Sequence, residues 1–451
     1  MAQQVAQATG SMFGSWLGGH APLIERAAGV RLWDVDGKEY IDATSGAIAV
    51  ISVGHGRQEV IEAMTEQARR FSYVQGGRFR HEVADELAAE LARSTPGDLN
   101  RAIFVSGGSE ANETAIKLAR AYQLIQGHME RYKVLSRERS YHGNTLGALS
   151  VSGYDQRREP YEPLLLQIPK VREVNYYRDD SGMSYEEYGR ACADDLERAI
   201  HEAGPREVSA FIAEPIVGAA GAATTPPPGY FERIREICDA HDILFIADEV
   251  ITGLGRTGRN FGIDHWGVTP DIIVTAKGLA GGYAPLGAVL ISERVERVFR
   301  DAGQPFMHGY TYMSHPVSCA AGLAVLRIIE REGLVQNAAA RGALLFEGLE
   351  QLKAEHPLIG DIRGKGLLAG VELVRDRDTR EPLDPELGVS MRLVQAALDH
   401  GITVYPCQTG LGHSDQFLVS PPLISTANDI EEIVNRLSLA LDDVEESLRA
   451  D

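Results

Sequence analysis

The chain has 451 residues, 44% hydrophobic and 24% charged, with 47 glycines; this is the make-up of an ordinary globular protein long enough for two or three domains. Its formal charge of −20 argues against nucleic acid or an anionic membrane surface as a partner, since both recruit basic stripes. No run approaches ~18 uncharged apolar residues, and the first residues show no charged segment followed by an apolar core.

Near the start, "GVRLWDVDGKEYID" alternates apolar and polar residues around Asp36-Gly37, which predicts a hairpin. From about residue 56 helices alternate with short apolar runs. The runs "RAIFVSGG", "YKVLSRERS", "VSAFIAEPI", "DILFIADEV" and "DIIVTAK" read as strands. Between them lie helical segments such as "SEANETAIKLARAYQL" and "YFERIREICDAHD"; the second places Phe231, Ile234, Ile237 and Cys238 on one face. This alternation predicts an α/β protein with a largely parallel sheet covered on both sides.

After about residue 320 comes a long helical stretch, then strands "GLLAGVELV", "GITVYP" and "DQFLVSPPL". A last helix carries Ile430, Ile433, Val434, Leu437, Leu441, Val444 and Leu448 at helical spacing. The expected organisation is a segment 1–55 joining a small domain, a large domain 56–320, and a C-terminal small α+β domain 321–451. Cys192, Cys238, Cys319 and Cys407 have no paired spacing, so buried thiols and a cytoplasmic protein are expected.

Several positions carry chemistry. In "FVSGGSEANETAIKLAR" a strand ends at Val105, Gly107 and Gly108 follow, and Ser109 stands where a helix begins. Such a junction can hold a phosphate on free N–H groups, or Ser109 can simply cap its helix. "ILFIADEV" places Asp248 at the end of a buried strand, where a carboxylate needs an arginine, a helix N-terminus or a cationic ring nitrogen. Alternation sends Glu249 to the other face. Glu214 and Tyr141 also stand at strand ends, as does Lys277 in "DIIVTAKGLAGGYAPLGAVL", where Gly278, Gly281 and Gly282 predict a close approach.

Two decoys are set aside. "GLGRTG" matches G-x-G-x-x-G but lacks the helix a dinucleotide site needs, because Gly262, Gly267 and Pro270 follow. The 13 histidines form no H-E-x-x-H and no compact cluster, so no metal is expected; His142, His308 and His315 read as loop or packing residues rather than metal ligands.

Ligands of open α/β sheets bind beyond the carboxyl ends of the strands. A phosphate cradle, an aromatic, a buried carboxylate and a lysine at one such edge fit pyridoxal 5′-phosphate. Here the stretch "LFIADEVITGLGRTGRNFGIDHWGVTPDIIVTAKGLAGGYAPLGAV" resembles the signature of the class III (ω-type) pyridoxal-phosphate aminotransferases of fold type I. The resemblance runs from "GVRLWDVDGKEYID" to "SPPL" and implies a mainly parallel seven-stranded sheet flanked by helices. It implies Lys277 as the Schiff-base lysine and proton carrier, with Asp248 paired to the pyridine nitrogen. Val250 and Tyr141 would cover the two ring faces, and Gly108 and Ser109 the phosphate. Thr311, from the partner subunit, would complete the site, so the resemblance implies an obligate homodimer or a tetramer. The cofactor-binding set is completed by His142 and Glu214.

The implied activity is a ping-pong ω-aminotransferase moving an amino group from a primary amine or ω-amino acid to a keto acid such as pyruvate. The same core also serves decarboxylases, aminomutases and epimerases. A non-catalytic regulator would carry a DNA-binding extension, for which this acidic chain shows no segment. One departure stands out: many members carry an arginine shortly before "PPL", whereas no arginine occurs here between Arg392 and Arg436. His413 is the basic side chain nearest that place, and Glu214 lacks the partner it has in several relatives. Asn144 replaces the arginine usual in the ornithine branch, which argues against that specificity. A residue such as Arg78 or Arg80 in "QGGRFRHE" could serve a substrate carboxylate, although loop arginines are usually solvated.

Overall fold

The computed structural model describes residues 21–76, 78–407 and 415–450. Strands β1 (Ile24–Ala28), β2 (Arg31–Asp34) and β3 (Glu39–Ile41) form an antiparallel sheet, with the predicted Asp36-Gly37 hairpin between the last two. This sheet leans on the C-terminal part of the chain: Arg31 donates to Glu432 at 2.9 and 2.5 Å and to Asp429 at 3.3 Å, and Ile41 bridges Ile402.

The central sheet comprises β4 (Leu99–Val105), β5 (Lys133–Arg137), β6 (Lys170–Val171), β7 (Val208–Ala213), β8 (Leu244–Asp248), β9 (Ile272–Thr275) and β10 (Gly287–Ser292). Their order is β4-β10-β9-β8-β7-β5-β6, parallel except for β10, which is antiparallel to both neighbours. Five of these strands are those read from the sequence; β6 and β10 are additions. "GAVLIS" follows a glycine-rich turn and was hidden by it.

Alternation along each strand divides the core. Leu244 and Ile246 of β8 pack with Val105, Ala115 and Leu118 on one face, whereas Phe245 and Ala247 join Phe211, Phe231 and Ile273 on the other. Helix Gly108–Ile125 covers the first face and helix Tyr230–Ala240 the second. Burial on both sides explains why these strands read as continuous apolar runs.

The C-terminal sheet has β11 (Ile359–Lys365), β12 (Leu368–Asp376), β14 (Tyr405–Pro406) and β15 (Gln416–Val419) in the order β11-β12-β15-β14, with β13 (Glu381–Pro382) beside β12. The predicted strand "GITVYP" shrinks to two residues. Helix Ala427–Ala450 buries Ile430, Ile433, Leu437, Leu441 and Val444, while Val434 and Leu448 pack partly buried beside them. The four cysteines are buried thiols. Among the described residues no helix is long and apolar enough to cross a membrane.

The loop that follows β7 meets the C-terminal sheet closely at Gly370 in β12, where a Cβ would lie 1.9 Å from the carbonyl oxygen of Ala222. Gly370→Ala is therefore expected to cost about 3 kcal/mol and to lower the urea midpoint of the full chain. An unchanged midpoint would show that the contact yields.

Candidate active site

Strands β4, β5, β7, β8 and β9 end at one edge of the central sheet, and a cavity of about 430 Å³ opens there. Gly108, Ser109, Tyr141, Glu214, Asp248 and Lys277 line it, as do His142 and Val250. A larger cavity of about 540 Å³, beside Tyr177 and Arg363, holds none of these groups. Size does not select the site; convergence of unlike groups at the strand ends does.

Lys277 begins the turn that follows β9, with φ at 42°, in the left-handed region that non-glycine residues rarely adopt. Its turn is held by the Ala276 carbonyl, which accepts from Leu279, and by Ser52 Oγ, which donates to the Gly278 carbonyl at 3.0 Å. Burial pushes the Lys277 amine down to about 8; Asp248 and Glu214 hold it up, and the Arg157 guanidinium lowers it further. At Gly282 the close approach predicted for these glycines is present. Gly282 has φ of +80°, and a Cβ there would sit 2.5 Å from Ile51 Cδ1. The segment that comes close is the chain around Val50–Ile51, and Val50 itself lines the cavity.

Asp248 is 2% exposed and its carboxylate takes three donors. His142 Nδ1 lies 2.6 Å and Asn112 Nδ2 2.9 Å from Oδ2, and the Val250 N–H donates to Oδ1 at 3.1 Å. A carboxylate only accepts, so the proton of this contact belongs on Nδ1 of His142. Asn112 also donates to the His142 carbonyl at 2.6 Å, closing a three-residue network. Glu249 points to the other face, as alternation requires, and accepts from the amides of Gly262 and Ile263, each at 2.7 Å.

Glu214 accepts from the backbone amides of Tyr141 and Gly218, both at 3.0 Å. Burial raises its carboxyl, with His142 acting in the opposite direction. Arg137, sealed in the interior, donates to the Glu214 carbonyl. Two amides thus satisfy Glu214, for which the sequence offers no arginine near "PPL".

Helix Gly108–Ile125 starts at the cavity with no side-chain cap, and a Cβ on Gly107 would meet nothing within 4 Å. Ser109 Oγ accepts from the Asn144 N–H at 3.2 Å. Gly143, at φ +136°, is held so close that a Cβ would lie 2.4 Å from that Oγ. The loop carrying Tyr141 and His142 is thereby fixed against the helix start.

Other expected residues fall elsewhere. His308 contacts Thr114 at 2.9 Å and His315 caps helix Pro316–Arg331. Arg78 and Arg80 are exposed, and Arg80 pairs with Asp85 at 2.9 Å; neither lines the cavity. Thr311 is exposed outside this chain's own cavity, its carbonyl accepting from Tyr73. His413 lies outside the described residues. "GLGRTG" is a structural hub, since its buried Arg256 donates to the Leu367 and Pro421 carbonyls and to Ser45.

The sequence reading missed Asn112 and the bond from His142 to Asp248. A signal for the first existed: Asn112 is a polar residue among Ala111, Ala115 and Leu118 on the buried side of its helix.

A sheet of this order with a lysine, a buried carboxylate and an open helix start at its carboxyl edge is the arrangement of the fold type I enzymes, to which the transaminases belong. In structure the chain resembles an (S)-enantioselective omega-transaminase from Thermomicrobium roseum, with a TM-score of 0.91 and 38% identity over 98% of each chain. In sequence it resembles the uncharacterized aminotransferase YodT of Bacillus subtilis, 40% identical over 95% of this chain and 97% of that one. It is also 38% identical to a taurine–pyruvate aminotransferase of Bilophila wadsworthia, over 93% of this chain and 92% of that one. The family model for aminotransferase class-III matches residues 18–441. The chain belongs to the class III aminotransferases, an enzyme family that depends on pyridoxal phosphate.

Proposed function

We propose that this chain binds pyridoxal 5′-phosphate and is an ω-aminotransferase, taking an amino group from a primary amine or ω-amino acid and passing it to a keto acid such as pyruvate. The observation that carries this reading is one cavity in which Lys277 stands with the Asp248–His142–Asn112 network and an uncapped helix start. The names of its relatives, a taurine–pyruvate aminotransferase and an omega-transaminase, support the substrate classes.

The residues present fit the cofactor. His142 Nε2 and Asn112 Oδ1 are buried without a hydrogen-bond partner among the described residues, and both side chains line the cavity. The free amides at Gly108 and Ser109, with the positive end of the helix dipole, suit a phosphate. Asp248 would meet the pyridine nitrogen, and Val250 and Tyr141 the two ring faces. Pyridoxal phosphate, when bound, supplies an aldehyde and a ring that draws electrons from the carbon next to nitrogen.

The protein's own part is then a proton and its placement. Lys277, neutral above about pH 8, would hold the cofactor through Nζ and, once released, would hold and move a proton at that atom. His142 and Asn112 hold the Asp248 carboxylate aimed at the ring, and Glu214 fixes the backbone of Tyr141.

We read the chain as an obligate homodimer, or a tetramer built from it, with Thr311 of the partner subunit reaching the phosphate. Supporting this, Met307 is 86% and Tyr312 59% exposed in the same loop, an apolar surface that suits a protein partner. Buried thiols support a cytoplasmic setting. The division into residues 1–55, 56–320 and 321–451 belongs to the same reading.

Two experiments check it. In a half-reaction screen, amine donors should convert the cofactor to its pyridoxamine form and keto acids should reverse the change. Loss of carbon dioxide from, or inversion of, the substrate without that change would overturn the reaction class. The second concerns pH: the folded Lys277 amine lies below the ordinary 10.5, and its neutral form is the nucleophile. Cofactor capture by the apoprotein should rise about tenfold per pH unit and level off near pH 8. A rate still climbing through pH 10 would show an ordinary lysine.

A further inference from the structure

A keto acid brings a carboxylate to the cavity, and no residue discussed so far meets it. Glu214 is satisfied by amides, Arg137 is sealed, and Arg78 and Arg80 lie away from the cavity. One cation stands behind the cavity wall, stacked on the lining residue Tyr141 without lining the cavity itself.

Arg157 lies in the short helix Asp155–Arg158. Its guanidinium carbon is 5.0 Å from the ring centroid of Tyr141 and 5.0 Å from that of Tyr154. The Tyr405 phenol is also near enough to feel its charge. Tyr141 and Tyr154 meet edge to face at 6.0 Å, so the guanidinium sits in an aromatic collar. Tyr141 lines the cavity that holds Lys277, and Arg157 is near enough to lower the Lys277 amine.

The position is built. Arg158 is buried and donates to the carbonyls of Leu149, Ser150 and Ser152 at 2.8, 3.0 and 2.8 Å, which pins the short helix. Gly153 closes against Ser140, bringing the segment back to the start of the Tyr141 loop. Burial raises the three phenols, Tyr154 to about 12, so at neutral pH they stand uncharged beside the guanidinium and do not neutralise it.

We propose that Arg157 is the residue that binds the carboxylate of the keto acid, and of an α-amino acid in the reverse direction, while the collar of tyrosines holds its fork flat. In an α-keto acid the carboxylate is bonded directly to the reacting carbon. Its cation must therefore stand at the cavity wall, where Arg157 lies over the ring of Tyr141. A planar fork suits two parallel bonds to a carboxylate, which a lysine could not reproduce. The inference rests on the transaminase reading above.

The test uses holoenzyme and single half-reactions. Wild type, Arg157→Gln and Arg157→Lys are each followed with pyruvate from the pyridoxamine form, and with benzylamine, which has no carboxylate, from the pyridoxal form. In Arg157→Gln the second-order rate with pyruvate should fall about 100-fold, chiefly through weaker binding, while that with benzylamine falls less than about 5-fold. Arg157→Lys should recover part of the loss. Removing the cation should also raise the pH at which Lys277 becomes neutral, a readout that a merely structural role would not move.

Equal losses with both substrates, or unchanged pyruvate binding in Arg157→Gln, would overturn the assignment. Wild-type holoenzyme that reacts with no keto acid would instead overturn the transaminase reading, and this inference with it.

Discussion

Lys277→Ala is expected to fold, to keep its affinity for the cofactor's phosphate, and to lose about 10⁴-fold in turnover. The side chain faces the cavity, and alanine at the same positive φ is no more strained than lysine. On the proposed reading, what disappears is the amine that would hold the cofactor and carry the proton. Borohydride treatment of the wild-type holoenzyme should fix the pyridoxyl group on the peptide containing Lys277, and the variant should carry no label. Mapping the label matters because a second lysine is perturbed. The Lys170 amine is pushed by burial to about 7, yet it donates to Ser136 Oγ at 2.8 Å and to the Ser150 carbonyl at 3.0 Å, outside the cavity. Titration alone would choose Lys170; geometry chooses Lys277. A small diffusible amine should restore some activity to Lys277→Ala, since an amine is what was removed. A label on any other lysine, or turnover within about tenfold of wild type, would refute the assignment.

The parts of the site legible in the sequence are those that stand at strand ends. A run of buried residues stopping at a lysine, an aspartate or a glycine pair marks the edge of a parallel sheet, and that mark needs only period and composition. Asp248 and Lys277 were readable for this reason, and so was the side to which Glu249 points. Residues whose role depends on tertiary approach were not. Asn112 acts from the fifth residue of a helix, His142 in a loop, and Val50–Ile51 arrive from a segment more than two hundred residues before Gly282. Arg157 followed the same rule: nothing around it in sequence shows that Tyr141 and Tyr405 will close on it. Strand β10 escaped because the glycine turn before it reads as loop, and its antiparallel direction follows from that tight return. Resemblance to a family supplied the seven-stranded sheet, but it also directed attention to an arginine near "PPL" that this chain lacks.

Asp248→Asn should leave the label on Lys277 intact and slow both half-reactions together. Charge opposite a ring nitrogen matters most as electrons move into the ring, so its loss falls on the chemical step and not on binding. The site is also hard on asparagine. Oδ2 accepts from both His142 and Asn112, so the amide oxygen must stay there, which turns the new NH₂ toward the Val250 N–H. Together these effects should lower turnover about 10³-fold, equivalent to about 4 kcal/mol. Turnover within about tenfold of wild type would show that the carboxylate is structural. The same variant tests the electrostatics around the lysine. Asp248 is the foremost of the groups that hold the Lys277 amine up, so its loss should move the pH at which that amine becomes neutral further below about 8. Arg157→Gln removes a cation that pushes the other way and should shift it upward. Opposite displacements in the two variants, read from the pH dependence of cofactor capture, would place both charges around one amine; a shift in the same direction would separate Arg157 from the site.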